Sequence, residues 1–131
     1  MTKFSMSLTL KQLKILEDAL DLYTRVGIGQ LEIIGEKLNT LFPSGKHATI
    51  PWKLKEKYLN KIKMEFFEFQ SGQSYGIGHQ KVSDKAKIGY DLQKTIQKTI
   101  AEKDDHNRMS VWHDGNILKL GSEPLAKITE K

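Results

Sequence analysis

The feature that most constrains this chain is a succession of apolar residues at helical spacing, cut into segments by glycine and proline. Leu13, Leu16, Leu20 and Tyr23 recur at intervals of three and four, and Leu31, Ile34, Leu38 and Leu41 do the same. That spacing lines one face of a helix. The capping-box pattern Thr9-Leu10-Lys11-Gln12 predicts that the first helix starts there and runs to about Arg25. Gly27 and Gly29 interrupt it. Two glycines in three residues cost roughly 2 kcal/mol of helix propensity, which leaves open two helices or one kinked helix.

Phe42-Pro43-Ser44-Gly45 breaks the pattern, and a loop follows to Ile50. Pro51 suits the first turn of a third helix, where its missing N–H is no loss. Trp52, Leu59, Ile62, Phe66 and Phe69 form its expected apolar face, with Tyr58 at the margin. The stretch from Ser71 to His79 has no period and contains three glycines. Ser83 is a good N-cap for a fourth helix, Asp84 is favourable in its first turn, and Ile88, Leu92, Ile96 and Ile100 mark its core stripe.

The two ends read differently. Lys3 to Leu8 alternates, with Phe4, Met6 and Leu8 on one side, the period of a half-buried strand. Met109 to His113, Asp114-Gly115 and Ile117 to Leu120 form a hairpin signal, and Leu125 to Ile128 suggests a last short strand. The expected fold is α+β, a single domain over 1–131. About four helices would pack on one face of a small antiparallel sheet made of the N-terminal strand and the C-terminal hairpin.

Composition narrows the function classes. A chain of 131 residues supplies one modest core. It has no cysteine, which excludes disulfides and zinc–thiolate sites and suits a reducing compartment. No apolar run approaches the ~20 residues that span a bilayer, and Met1 to Ser7 alternates where a signal peptide would be continuously apolar. A cytoplasmic protein without membrane association is therefore expected. The net charge of +5 suits anionic partners, although lysines spread along helices commonly serve only to solvate an outer face. Only Arg25 and Arg108 are arginines, the residue that grips phosphate with a planar fork.

Gly27-Ile28-Gly29-Gln30 lacks both the third glycine of a dinucleotide fingerprint and the Gly-Lys-Ser/Thr of a P-loop, and it follows a helix. What it offers is a helix start beside Arg25, a candidate anion site, or else a plain joint between helices. In Ser74-Tyr75-Gly76-Ile77-Gly78-His79 an aromatic between glycines can stack on a base while the backbone approaches closely; the same glycines also permit an ordinary turn. Tyr90 in the fourth helix and Trp112 beside the hairpin turn are further aromatic candidates, each equally at home at the edge of a core. The ligand-binding candidates are thus Arg25, Gly29, Gln30, Tyr75, His79, Tyr90, Arg108 and Trp112. The four histidines show no metal-ligand spacing, and no serine, histidine and carboxylate are arranged recognisably for nucleophilic attack. A binding protein that is no enzyme, with neither metal nor cofactor, is expected.

Three stretches together resemble a known family: Leu16 to Gln30 (LEDALDLYTRVGIGQ), Ser74 to His79 (SYGIGH) with Val82 to Leu92 (VSDKAKIGYDL), and Gly121 to Ile128 (GSEPLAKI). They are similar to the phage anti-CBASS sponge family, whose members form tetramers and sequester cyclic dinucleotides such as 3′,3′-cyclic GMP–AMP. The resemblance covers nearly the whole chain apart from the segment around the third helix. It implies a phage immune-evasion protein in the host cytoplasm, a homo-oligomer that holds a cyclic dinucleotide without cleaving it. Two other classes remain open: a phage inhibitor that binds a host defence protein or nuclease directly, and a small basic nucleic-acid-binding protein.

Overall fold

The computed structural model describes residues 2–42, 51–67, 69, 73–103 and 119–130. Among them lie four helices: α1 (Leu10–Gly27), α2 (Ile33–Leu41), α3 (Trp52–Phe67) and α4 (Asp84–Lys103). The capping box at the head of α1 forms in full. Thr9 Oγ1 accepts the Gln12 N–H at 3.2 Å, and Gln12 Oε1 accepts the Thr9 N–H at 2.9 Å. Ser83 caps α4, its hydroxyl accepting the Ala86 N–H at 3.2 Å.

The glycine pair divides two helices, settling the choice that the sequence leaves open. Gly29 takes φ +86°, a left-handed conformation that ends the helical run. Gly27 serves a different purpose: a Cβ there would lie 2.6 Å from the Ala86 side chain, so its absence lets α1 lie close against α4. These two helices form the most extensive packing pair, and α2 joins α1 to α3. Among the described residues, Leu31, Ile33, Val82, Ala86, Ile96, Ile100 and Ala101 are the buried apolar ones.

Much of the α1–α4 contact is polar. The Gln93 amide donates to Glu17 and to Asp21, both at 3.1 Å, and Gln97 donates to Glu17 at 2.7 Å. Lys37 of α2 closes the seam from the side, pairing with Asp18 and, at 3.3 Å, with Asp21. The inward face of α1 is consequently rotated from the apolar stripe. Thr24 is buried, whereas Leu16 and Tyr23 are 40% and 51% exposed. On α3 the inner position belongs to Lys63, buried and paired with Glu32 at 2.8 Å, and the Trp52 ring lies over Gly35.

The α+β expectation is overturned, because the described residues contain helices and no strand. Lys3 to Leu8 carries no regular structure, and Phe4 and Met6 are almost fully exposed. Alternation makes a strand only where a sheet offers hydrogen-bonding partners and a face to bury. None of the described segments supplies either. Leu125 to Ile128 is likewise without regular structure. The predicted hairpin falls mostly on residues 104–118, outside the described residues.

The segment from Lys119 onward is anchored on α4. The buried Asp91 carboxylate accepts the N–H of Leu120 at 2.9 Å and of Gly121 at 2.7 Å. About two turns toward the helix start, Asp84 accepts the Ser122 N–H at 2.9 Å and its hydroxyl.

Candidate functional site

Three segments far apart in sequence meet at the C-terminal end of α1: its last turn, the joint 28–32 and the glycine loop before α4. The backbone makes the first link, with the Tyr75 N–H donating to the Ile28 carbonyl at 2.9 Å. Gln30 makes the second. Its Oε1 accepts from Arg25 Nη1 at 2.8 Å, and its Nε2 donates to Ser74 Oγ at 3.3 Å. Arg25 is held from its other side by Asp21, which accepts from Nε at 2.8 Å. A guanidinium has five N–H groups. These bonds use Nε and one on Nη1, and among the described residues no bond is made by Nη2, on a side chain 46% exposed.

An aromatic row continues from this polar run. Tyr75 lies between Phe69, edge to face at 4.7 Å, and His79, stacked at 4.7 Å with the rings 26° apart. Phe69 stacks in turn on Phe67 at 5.5 Å, and the Lys63 ammonium lies 5.9 Å from its centroid. The loop fixes the His79 ring as well. Nδ1 accepts the Lys81 N–H at 3.0 Å, so the neutral ring carries its proton on Nε2, and the residue is exposed.

The structure therefore brings Arg25, Gln30, Tyr75 and His79 into one row, with Ser74 between them. Gly29 belongs to the same place in another capacity. It is buried, its N–H donates to Val26 at 3.0 Å, and a Cβ on it would meet the Phe69 ring at 2.6 Å. The Gln30 N–H is likewise committed to the Arg25 carbonyl at 2.8 Å. The helix-start N–H groups that the sequence offers to an anion are thus closing the turn.

Tyr90 stands on α4, with the Lys94 ammonium 5.0 Å from its ring centroid. Burial pushes its hydroxyl above the ordinary tyrosine value, and the Asp91 charge adds to that. Burial holds Lys94 below the ordinary lysine value; Glu17 and Asp21 oppose this, and the Arg25 charge reinforces it. Lys94 also donates to Gln97 at 3.1 Å. It is a second cation within electrostatic reach of Arg25 that sequence reasoning missed, as it missed Lys37; Ser74 entered that reasoning only as part of its loop. The only sequence signal for Lys94 is its place one turn after Tyr90, on a helix whose other lysines look the same. Arg108 and Trp112 lie outside the described residues.

This arrangement is suited to holding a ligand. It offers a cation, an amide and hydroxyl edge, and an open ring face. Ser74 Oγ is engaged by an amide with no imidazole or carboxylate bonded to it, and among the described residues no three His, Asp or Glu side chains converge as metal ligands do. Compared with protein-family models, curated proteins and solved structures, the chain finds no match in any of the three.

Proposed function

We propose that the chain binds a small anionic nucleotide at the Arg25–Gln30–Ser74–Tyr75–His79 row and holds it without cleaving it, with a cyclic dinucleotide as the ligand that the sequence resemblance implies. The observation that carries this reading is the continuity of the row: Arg25 to Gln30 to Ser74 by hydrogen bonds, then Tyr75 to His79 by ring stacking. A nucleotide has the matching order of groups. Its phosphate meets the Nη2 side of Arg25, its sugar and base edges meet the amide and hydroxyl, and its base lies on the ring face. Tyr75 is flanked by two rings, so it backs His79, and the exposed face of His79 takes the base.

Removing a signal from a receptor requires roughly nanomolar affinity, about −12 kcal/mol. Stacking contributes ~1–3 kcal/mol per base, and a charge-assisted hydrogen bond about 1.5–3 kcal/mol. One row falls short of that total. A site shared between protomers doubles the supply, so binding and oligomerisation are coupled in this reading, and the biological role is phage immune evasion in the host cytoplasm.

Calorimetry with 3′,3′-cyclic GMP–AMP tests it. Arg25→Ala should weaken binding roughly ten- to a hundredfold, and Arg25→Lys should restore only part, because lysine keeps the charge and loses the fork. His79→Ala should weaken binding by a comparable factor, while Tyr75→Phe leaves it nearly intact. Ligand recovered after incubation should be chemically unchanged by mass spectrometry. If Arg25→Ala lowers the melting temperature and leaves affinity alone, the arginine is only a cap on the end of α1 and the reading is wrong.

A further inference from the structure

The outward face of α3 carries a pattern that neither the core nor the nucleotide row uses. Leu54, Tyr58, Ile62 and Phe66 follow one another every four residues and are 39%, 60%, 46% and 80% exposed. Residues four apart form one continuous ridge along a helix, the kind that packs into the groove of another helix. Along one flank of this ridge runs a second exposed row at the same interval, Lys53, Lys57 and Lys61. The opposite side of the helix is already engaged: Lys63 is buried against Glu32, and Trp52 covers Gly35. So α3 is seated on the molecule by one face and presents the other.

We propose that this face is a docking surface for an acidic amphipathic helix of another protein. The charge pattern selects that occupant. If two copies of α3 paired antiparallel along the ridge, like flanks would meet, and Lys53, Lys57 and Lys61 would confront their own counterparts. If they paired parallel, the lysine row would face Lys55 and Leu59, which offer no carboxylate. Glu65, beside the ridge, is one carboxylate against three lysines. Nucleic acid would satisfy the lysines and leave four large apolar side chains in water. A helix with an apolar stripe and a glutamate or aspartate flank satisfies both rows at once. None of the four ridge residues belongs to the Arg25–His79 row, so this surface is independent of the nucleotide reading.

The test uses the full chain and a fluorescein-labelled amphipathic peptide with a leucine stripe flanked by glutamates. The same peptide with lysine flanks is the control. Anisotropy should show saturable binding of the glutamate peptide, at least roughly tenfold tighter than the control, with the advantage shrinking as salt rises. Tyr58→Glu with Ile62→Glu should abolish binding while circular dichroism stays unchanged. Phe66→Ser, at the most exposed ridge position, should weaken it in a chain with unaltered thermal unfolding, and Lys57→Gln with Lys61→Gln should remove the preference for glutamate flanks. Equal affinity for both peptides, or for neither, overturns the proposal. So does self-association in light scattering that the ridge substitutions abolish, which would make a second copy the occupant. Ridge-dependent sedimentation with phosphatidylserine vesicles, without peptide binding, overturns it in favour of a lipid surface.

Discussion

Asp21 is where three helices exchange charge. Its carboxylate accepts from Arg25 of its own helix and from Gln93 of α4, and it pairs with Lys37 of α2. Burial pushes its pKa up, but the Arg25 hydrogen bond and charge, the Gln93 amide and Lys37 outweigh that and hold it below the ordinary 3.8. A carboxylate whose folded pKa is depressed adds stability above its unfolded value, and that stability is lost as pH falls through the folded one. Denaturant unfolding should therefore show a loss of stability setting in as pH drops below about 4, and Asp21→Asn should flatten that part of the profile. At neutral pH the same substitution should cost about 1–2 kcal/mol, because Arg25 and Lys37 lose their counter-charge while the amide still accepts weaker bonds. It also bears on the proposed nucleotide site: without Asp21, Arg25 loses the bond that orients its fork, so if the proposal holds, nucleotide affinity should fall in parallel with stability.

At the scale of elements, the sequence was most informative where a local rule was strong. Thr9 with Gln12, and Ser83 with Ala86, cap their helices as the pattern predicts, because a cap is decided by residues three apart. Thr9→Ala should lower stability by about 0.5–2 kcal/mol, measurable as a fall in Tm with the helix otherwise intact. The sheet was misread for the opposite reason. Alternation in Lys3 to Leu8 states which residues would share a face, not whether another strand exists to pair with them. The rotated face of α1 was hidden too, because Glu17 and Asp21 read as solvated charges until Gln93 and Gln97 stand opposite them. The tie of the C-terminal segment to α4 through Asp91 belongs to this class of long-range contact. Asp91→Ala would leave the N–H groups of Leu120 and Gly121 without their acceptor, one of them buried. A loss of about 2–3 kcal/mol follows, since each bond is to a charged group and the vacated donors stay partly desolvated. Hydrogen exchange at Leu120 and Gly121 should accelerate more than elsewhere in the chain, whereas Asp84→Ala, at an exposed site, should loosen Ser122 alone.

For the molecule as a whole, what matters is how many large apolar side chains among the described residues stay exposed. Among the described residues seven apolar residues are buried, while sixteen large apolar side chains are more than a third exposed. Where exposed apolar side chains form a contiguous patch, they suit an interface. The sequence expectation of a homo-oligomer rested on the reasoning that every helix carries an apolar stripe, which is more than one small core hides. Where those stripes would emerge could not be read, because that depends on which face each helix turns inward. Arg25, Gln30, Tyr75 and His79 were legible as candidates from their residue types, and their adjacency came only with the fold. Two helices in particular, α1 and α3, carry several of these exposed residues, and α1 is the one that suits a second copy. The ridge on α3 is flanked by lysines and repels its own image. On α1, Ile15, Leu16 and Tyr23 are exposed, and the charged Arg25, Asp21 and Lys37 at its inner edge are already engaged with partners of their own. A standard interface needs ~800 Å² per partner, under a tenth of the 9829 Å² that the chain exposes. We therefore expect light scattering to give a multiple of the monomer mass at micromolar concentration, and Tm to rise with protein concentration, as it must when association favours the folded state. Ile15→Lys with Leu16→Glu should return the protein to a monomer and, on the proposal that the site is shared between protomers, weaken nucleotide binding with it. Tyr58→Glu with Ile62→Glu, on α3, should leave the mass unchanged. A chain that stays monomeric at all these concentrations, yet binds the nucleotide at nanomolar strength, would separate binding from assembly and leave the exposed face of α1 without a role.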